Sequence, residues 1–363
     1  MTRAHRLGIW LGLTLAAVPL NARADFHDTL LYNWSGYIDP AVDLKYLEAT
    51  GRTLVIDTYD LADEAEGRLS AGGTGYDVAV VPSEAINRLI THGALSPLPS
   101  RIAAPYSDRE SMMRSALREA VPEVDRYATP YLWGTTGVVY HRENVLSRIP
   151  DAPLDSWALI FDPENAAALA DCGLTIVDSV EEVVPAALAY LGRDPNSKDQ
   201  ADIDAAFAAI GAIAPYVSSF DTDQFDDVSN GEICAAITWS SDGLGNDPDG
   251  QPTGAYEYVT PLEGANFWVD LLVIPDDARD LARSAELIDL ILSPEVLIPS
   301  ADYAGACSSI GYSPAGAEPP APGTSCAELA APNQSHLYFL QSRSDAEKAY
   351  FDAQWRLVQI EGL

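Results

Sequence analysis

Short apolar segments alternate with amphipathic segments along the first third of the chain. This pattern predicts strands at 29–34, 53–59 and 76–81, and helices at 39–50, 62–71 and 83–92. Gly51 and Gly72 are expected to end the first two helices, and Ser83 to cap the third. A repeated β-α-β order of this kind predicts an α/β fold with a mostly parallel sheet and helices on both faces.

The remainder of the chain follows the pattern less regularly. The segment 131–140 predicts a long strand suited to crossing between two domains, and helices are expected to dominate from 155 to 214. Further strands are expected within 230–239 and 264–274. The stretch 314–332 is rich in Pro, Ala and Gly, which predicts an irregular loop.

The first residues have the composition of an export signal. Arg3 and Arg6 precede an apolar run over 7–20, and the small-x-small pattern formed by Ala22 and Ala24 predicts cleavage just before Asp25. The alternative is a buried N-terminal helix. The run is too short for a good membrane span, and no later segment offers about 18 uninterrupted apolar residues. We therefore expect a soluble periplasmic protein.

Two lobes are expected in the mature chain, because about 339 residues suffice for two domains with ordinary cores. The predicted division is 1–24 for the signal peptide, 25–137 for the first part of lobe 1, 138–258 for the first part of lobe 2, 259–306 for a return to lobe 1, and 307–363 for a C-terminal segment mainly in lobe 2. In open α/β sheets, ligands bind at the C-terminal ends of strands. The sequence thus predicts a ligand cleft between the lobes.

The chain is strongly acidic. It has 21 Lys and Arg against 54 Asp and Glu, a formal net charge of −33, and loss of the signal's three arginines would make it −36. Such a field repels nucleic acid and anionic lipid, and it attracts cations to a cleft lined by carboxylates. Acidity also serves solubility, so it permits a cationic ligand without demonstrating one.

Cysteine and histidine usage favours disulfides over metal binding. The cysteines are Cys172, Cys234, Cys307 and Cys326, and an even number in an oxidising compartment predicts two disulfides with three alternative pairings. None lies in a C-x-x-C arrangement, and the five histidines are scattered. We expect no metal and no cofactor.

Four short segments, at 34–37, 181–182, 239–242 and 268–270, supply aromatic rings, carboxylates or hydroxyls. One such Trp is more often a core residue, and one such acid is usually on the surface. Four segments together, three of them at predicted strand ends, favour a binding site. Their chemistry suits an alkylammonium ion, whose charged ends bind carboxylates and whose apolar middle packs on aromatic faces.

Longer segments resemble the putrescine- and spermidine-binding proteins of polyamine ABC importers, in particular the putrescine-binding branch. The resembling segments, in collinear order, are 31–38, 76–83, 131–137, 191–196, 230–234 and 263–270. The similarity extends from about residue 29 to 275 and becomes weak after Tyr303. It implies a type II periplasmic binding protein whose two α/β lobes close over a polyamine, with an inner-membrane ABC permease as partner. It also implies a monomer without enzymatic activity.

The resemblance further implies which residues contact the ligand. These residues are Trp34, Ser35 and Tyr37 in the first loop, Ser83 after the third strand, Glu182, Trp239 and Asp242 in the second lobe, Trp268 and Asp270 on a late strand, and Tyr303 as a final aromatic. It also places Cys172 and Cys234 where the putrescine-binding branch has its disulfide, which leaves Cys307 and Cys326 as the other pair.

Two features depart from the family's pattern. The family usually places an acid between the hydroxyl residue and the Tyr of the first loop, and this chain has Gly36, which is expected to weaken or redirect recognition of one amine end. The segment 243–260 is also shorter than expected. Its acidic turn at 246–250 does not match a calcium loop, because Gly245 stands where the first ligand is needed.

Other functions stay open from sequence alone. The same fold could bind another small cationic solute, although the adjacent tyrosine pair of ferric-binding relatives does not occur. A sensory amine receptor would have the same sequence features. A glycoside hydrolase would use two of Glu182, Asp242 and Asp270 as acid and base, but the chain has no nucleophile elbow and no phosphate loop.

Overall fold

The structure is a computed structural model. It describes residues 28–102, 108–222, 224, 228, 230–231, 233–243, 256–309 and 336–361. The predicted signal peptide, the acidic turn at 246–250, the predicted loop at 314–332 and Cys326 lie outside these residues. Over the described ranges, no helix has the length and apolar content needed to span a membrane.

Helices pack against a mixed sheet, which confirms the predicted α/β class. The strands are β1 (Thr29–Trp34), β2 (Leu54–Tyr59), β3 (Val78–Pro82), β4 (Leu95–Ser96), β5 (Ala128–His141), β6 (Leu174–Val177), β7 (Ser219–Asp221), β8 (Ala235–Trp239), β9 (Tyr256–Val259), β10 (Ala265–Pro275), β11 (Cys307–Ser308) and β12 (Leu337–Tyr338). The helices are α1 (Val42–Thr50), α2 (Ala62–Ala71), α3 (Ile86–Thr91), α4 (Asp108–Ala120), α5 (Val124–Tyr127), α6 (Arg142–Arg148), α7 (Ala158–Phe161), α8 (Pro163–Leu169), α9 (Val180–Tyr190), α10 (Gln200–Ile213), α11 (Ser240–Gly243), α12 (Leu281–Ile291), α13 (Pro294–Tyr303) and α14 (Asp345–Glu361). Short 3₁₀ turns span Ser100–Ile102, Ala170–Cys172 and Ala214–Tyr216.

The strand order is β2-β1-β3-β10-β5-β8-β6-β7. Pairing is parallel at both ends of this order, and it is antiparallel from β3 through β10 and β5 to β8. The first half of β5 pairs with β10 and its second half with β8. The long strand predicted at 131–140 is thus confirmed, and it connects the two halves of the sheet.

Each half of the sheet has its own hydrophobic core. Helices cover both faces of the β1 half, where successive residues such as Leu31 and Tyr32 point into opposite core layers. The other half packs against α9 and α10, and it also recruits Phe351 and Trp355 from α14. Two cores joined by a continuous sheet agree with a two-lobed α/β molecule. The residue boundaries of the lobes stay a prediction.

Most of the predicted elements of the first third lie where the pattern places them. Gly51 and Gly72 follow α1 and α2 with φ of 71° and 66°, a conformation that favours glycine. The predicted cap by Ser83 is wrong, because α3 begins at Ile86 without a side-chain cap. The Ser83 N–H instead donates to the Val269 carbonyl at 2.9 Å, so Ser83 is bonded to β10 and a turn over 83–85 separates β3 from α3.

A disulfide joins Cys172 to Cys234, with their Cα atoms 5.4 Å apart. It links the 3₁₀ turn before β6 to the residue that precedes β8, so it joins the N-terminal ends of two neighbouring strands at the core around β6 and β8. The pairing implied by the resemblance is confirmed for these two cysteines. The second pairing stays a prediction, because Cys326 lies outside the described residues.

Candidate functional site

The predicted ligand residues converge where the two halves of the sheet meet. Asp270 on β10 pairs in register with Pro82, the residue before Ser83. Its neighbour Trp268 pairs with Gly134 on β5, and Trp239 on β8 pairs with Thr136 two positions along β5. The C-terminal ends of β1 and β3 therefore open towards the point where β5 passes from one core to the other.

Asp270 is the central carboxylate on the β1 side of this cleft, and 6% of its surface is exposed. The Trp34 indole Nε1 donates a hydrogen bond to Asp270 Oδ1 at 3.3 Å. Burial raises the pKa of Asp270 to about 6, although the side chains of Tyr37 and Trp34 favour its charged form. The Tyr37 hydroxyl is buried beside Asp270, and burial together with the Asp270 charge holds the Tyr37 pKa well above its ordinary value.

Glu182 is the matching carboxylate on the other side. It lies in the first turn of α9 and is 5% exposed. Thr136 Oγ1 donates to its Oε2 at 2.7 Å, and Asn266 Nδ2 donates to Oε2 at 2.9 Å and to Oε1 at 3.1 Å. Burial raises the pKa of Glu182, while the bonds from Thr136 and Asn266 lower it. These donors fix the direction of the carboxylate.

Three tryptophans lie close to these carboxylates along the chain or across the strands. Trp268 is 7% exposed, and its indole lies directly over Gly134, where a Cβ atom would overlap the ring. Its Nε1 is buried without a hydrogen-bond partner. Trp239 is half-buried and packs against both cores. Trp34 packs on Tyr59 with ring centroids 4.4 Å apart, so its orientation is fixed from behind.

The remaining predicted residues lie at the rim. Ser35 is exposed in the loop after β1, and Asp242 is half-buried in α11. After burial and Glu182, the charge of Asp242 contributes to raising the pKa of Tyr258. Tyr303 is 56% exposed at the end of α13, and no contact described for it joins it to the other predicted ligand residues. Its segment nevertheless lies beside α11, because a Cβ at Gly305 would meet the backbone of that helix.

Three polar residues of the site were missed by the sequence reasoning. Glu84 is mostly buried beside Ser83, and burial raises its pKa to about 8, with Glu182 and Asp270 adding to the shift. Its position next to a predicted ligand could have signalled it. Thr136 and Asn266 carry no such signal, because their role depends on a carboxylate that is distant in sequence.

The site combines buried acids with aromatic faces and lacks basic partners. Among the described residues, no Lys or Arg forms an ion pair with Glu84, Glu182 or Asp270. The same residues contain no group of His, Cys, Asp and Glu suited to a metal ion. Buried carboxylates are stabilised by a cation that makes hydrogen bonds to them, and aromatic faces attract the same charge.

Known proteins similar to this chain are binding proteins. A putrescine/agmatine-binding protein of Pseudomonas aeruginosa is 34% identical over 300 residues, covering 81% of each chain. The putrescine-binding periplasmic protein PotF of Escherichia coli is 32% identical over 296 residues, covering 80% of each chain. The crystal structure of the TpPotD lipoprotein of Treponema pallidum matches with a TM-score of 0.71 at 19% identity, covering 92% of this chain and all of that one.

These similarities confirm the predicted periplasmic-binding-protein fold and the resemblance to polyamine-binding proteins. The sequence profile described as bacterial extracellular solute-binding protein matches residues 42–318, which include β3, β5, β8 and β10 with Asp270, Trp239 and Trp268 on them. Members of this group are periplasmic or extracellular proteins that work with a membrane permease. The chain belongs to the bacterial extracellular solute-binding protein family.

Proposed function

We propose that this protein binds a polyamine in the cleft, without catalysing a reaction, and delivers it to an inner-membrane ABC permease. The ligand is putrescine, spermidine or a related di- or triamine. The observation that carries the proposal is the pair of buried carboxylates, Asp270 on β10 and Glu182 on α9, neither of which has a basic partner among the described residues. A ligand with two ammonium groups supplies both missing charges.

The proposed roles follow from the chemistry of each side chain. Carboxylates bind the ammonium groups, aromatic rings pack on the methylene chain, and hydroxyls accept or donate the remaining hydrogen bonds. The proposed ligand residues are Trp34, Ser35, Tyr37, Ser83, Glu182, Trp239, Asp242, Trp268, Asp270 and Tyr303. Cation–π contacts contribute about 0.5–2 kcal/mol each, and charge-assisted hydrogen bonds offset the desolvation of the ammonium groups.

Binding is coupled to closure because the ligand residues come from both halves of the sheet. Trp34 and Asp270 lie on the β1 side, and Glu182 and Asp242 lie on the other side. A ligand that bridges both sets makes contacts in the closed form that the open form lacks. Only this difference in contacts shifts the equilibrium towards closure, and the closed form is what a permease would recognise.

The proposal includes the compartment. Cleavage before Asp25 would release the mature protein into the periplasm, where we expect it to act as a monomer. The oxidising periplasm would also maintain the Cys172–Cys234 disulfide. Mass spectrometry of the protein purified from periplasmic extract would test the cleavage point, and light scattering would test the monomer.

Isothermal titration calorimetry tests the ligand class. The mature protein is titrated with putrescine, cadaverine, agmatine, spermidine and spermine, and at least one should bind with Kd below about 100 μM. Trp268→Ala should weaken that binding at least tenfold, because it removes the wall above Gly134. Tyr350→Ala, which removes a ring on α14 remote from these strands, serves as the control. The polyamine assignment is wrong if none of the five amines binds.

Uptake separates transport from sensing. Cells that lack the gene should lose high-affinity uptake of the radiolabelled amine that the calorimetry identifies, and a plasmid copy should restore it. A purified protein that binds the amine while uptake is unchanged in the deletion strain would indicate a sensory receptor instead.

A further inference from the structure

The turn after β3 places a mostly buried carboxylate in the cleft that the proposed ligand set does not include. Glu84 follows Ser83, and the Ser83 hydroxyl lies 3.5 Å from Glu84 Oε2. Two residues before it, Pro82 pairs with Asp270. Ser342 Oγ donates to the Glu84 carbonyl at 2.6 Å, so the C-terminal segment holds this turn in place.

The charged and titratable groups around Glu84 are mostly acidic. Glu182 and Glu181 on α9 and Asp270 on β10 all disfavour its charged form, and Tyr59 on β2 faces it as well. Arg88 on α3 is the cation near enough to Glu84 to be affected by its charge. Nothing in this group gives the Glu84 carboxylate a dedicated counter-charge.

Arg88 is already engaged by other partners. Its Nε and Nη2 each donate to a Glu66 carboxylate oxygen at 2.6 Å, and its Nη1 donates to the Arg343 carbonyl at 3.2 Å. All of its nitrogens therefore have partners other than Glu84. A carboxylate that is affected by the charges of Glu182 and Asp270, and whose nearby arginine is engaged elsewhere, is suited to an external cation.

The loop after β1 offers no acid of its own at this edge. Its first residues are Ser35, Gly36 and Tyr37, and the acid that follows in this loop, Asp39, pairs with Lys45 on α1 at 2.7 Å. Gly36 is exposed with φ of 65° and no atom within 4 Å of a Cβ built on it. Glu84 is thus an acid that the neighbouring strand contributes to the same end of the sheet. It follows by two residues Pro82, the residue that pairs with Asp270 where β3 meets β10.

We propose that Glu84 is an additional ligand of the bound amine, accepting a hydrogen bond from an ammonium group between Asp270 and Glu182. This inference rests on the proposed polyamine function and adds a residue to the recognition of its charged groups. It predicts that affinity follows the ionisation of Glu84, because an ammonium ion binds the carboxylate and not the neutral acid. Burial raises the pKa of Glu84 to about 8, so the dependence falls near neutral pH.

The test is calorimetry with putrescine at two pH values. A carboxyl with a pKa near 8 is about three-quarters ionised at pH 8.5 and about 3% ionised at pH 6.5, so wild-type affinity should fall about 25-fold between them. Glu84→Gln should bind at least tenfold more weakly than wild type at pH 8.5 and lose most of this pH dependence. Glu48→Gln, the same change on the exposed face of α1, should behave as wild type.

The outcomes separate this inference from the function on which it rests. If wild type and Glu84→Gln bind putrescine equally at pH 8.5, Glu84 is not a ligand and the polyamine function stands. If wild type binds none of the five amines, both proposals are wrong. The melting temperature of ligand-free Glu84→Gln at pH 8.5 should equal or exceed that of wild type, because a neutral amide avoids burying a charge. If Glu84→Gln does not fold, Glu84→Asp is used instead, and its putrescine affinity must still fall between pH 8.5 and pH 6.5. An affinity of Glu84→Asp that is independent of pH would overturn the inference.

Discussion

Replacing Asp270 with Asn should make the ligand-free protein more stable and at the same time impair binding. The two side chains have nearly the same shape, and an Asn oxygen can still accept the hydrogen bond from Trp34 Nε1. The substitution therefore removes a buried charge and leaves the packing in place. Its two effects have opposite signs, and few purely structural explanations predict that combination.

The magnitude follows from the pKa of the carboxyl. Burial raises the pKa of Asp270 to about 6, roughly two units above the ordinary value of about 3.9. Because the folded-state pKa is the higher one, the stability contribution is complete below about pH 4 and is lost as the pH rises through 6. The ionised side chain therefore costs the folded protein about 3 kcal/mol at pH 8 and about 1.5 kcal/mol at pH 5.

Urea unfolding, followed by circular dichroism at both pH values, measures this cost. Asp270→Asn should be more stable than wild type by about 3 kcal/mol at pH 8 and by about half as much at pH 5. Glu48→Gln, which neutralises an exposed acid on α1, should change the free energy of unfolding at neither pH. A gain that is equal at both pH values would refute the argument from Asp270 ionisation, and so would a loss of stability at pH 8.

Binding by the same variant completes the test. Putrescine affinity at pH 8 should fall at least tenfold, because an amide makes a weaker hydrogen bond to an ammonium ion than a carboxylate does. Unchanged affinity, together with the expected gain in stability, would show that Asp270 is a buried acid outside the ligand contacts.

Two further variants test the wall and the covalent link. Gly134→Ala should weaken putrescine binding at least tenfold and lower the melting temperature, because its Cβ would displace the Trp268 indole. Gly67→Ala, with open space at its Cβ, should do neither. A loss of putrescine affinity smaller than tenfold in Gly134→Ala would show that the indole does not contact the ligand. Replacing Cys172 and Cys234 by Ser should lower the free energy of unfolding by about 4 kcal/mol, since the disulfide closes a loop of 62 residues, and a loss below about 1 kcal/mol in urea unfolding would contradict this.

The sequence was informative wherever local chemistry determines structure. The bounds of β1 and α2 are those predicted, because the apolar pattern is regular and Gly72 can adopt the left-handed conformation that ends α2. The strand Leu174–Val177 was not separated from the surrounding helices, because a run of four apolar residues has no period that distinguishes a buried strand from a buried helix. The cap predicted for Ser83 was wrong because its N–H donates a strand-to-strand hydrogen bond to the Val269 carbonyl, a contact that only the tertiary structure brings about.

The candidate site was predictable in part for the same reason. Trp268 and Asp270 stand two residues apart on a strand, so their common side follows from sequence. The donors that fix Glu182 lie 46 and 84 positions away from it in sequence, and no local pattern relates them. Glu84 was overlooked because an isolated acid after a strand is usually solvated, and only its burial in the folded chain, with Glu182 of α9 and Asp270 of β10 acting on its charge, changes that expectation.

The connectivity of the two cores determines when the chain can fold. The core around β6 and β8 needs Phe351 and Trp355 from the last described helix, and the sheet that starts with β1 needs β10, more than 200 residues later. A chain that is exported with its N-terminus first therefore cannot complete either core while its C-terminal part is still in the cytoplasm. Premature folding is disfavoured by topology, and under the proposed export the protein would reach its final form only after nearly all of it had been translocated.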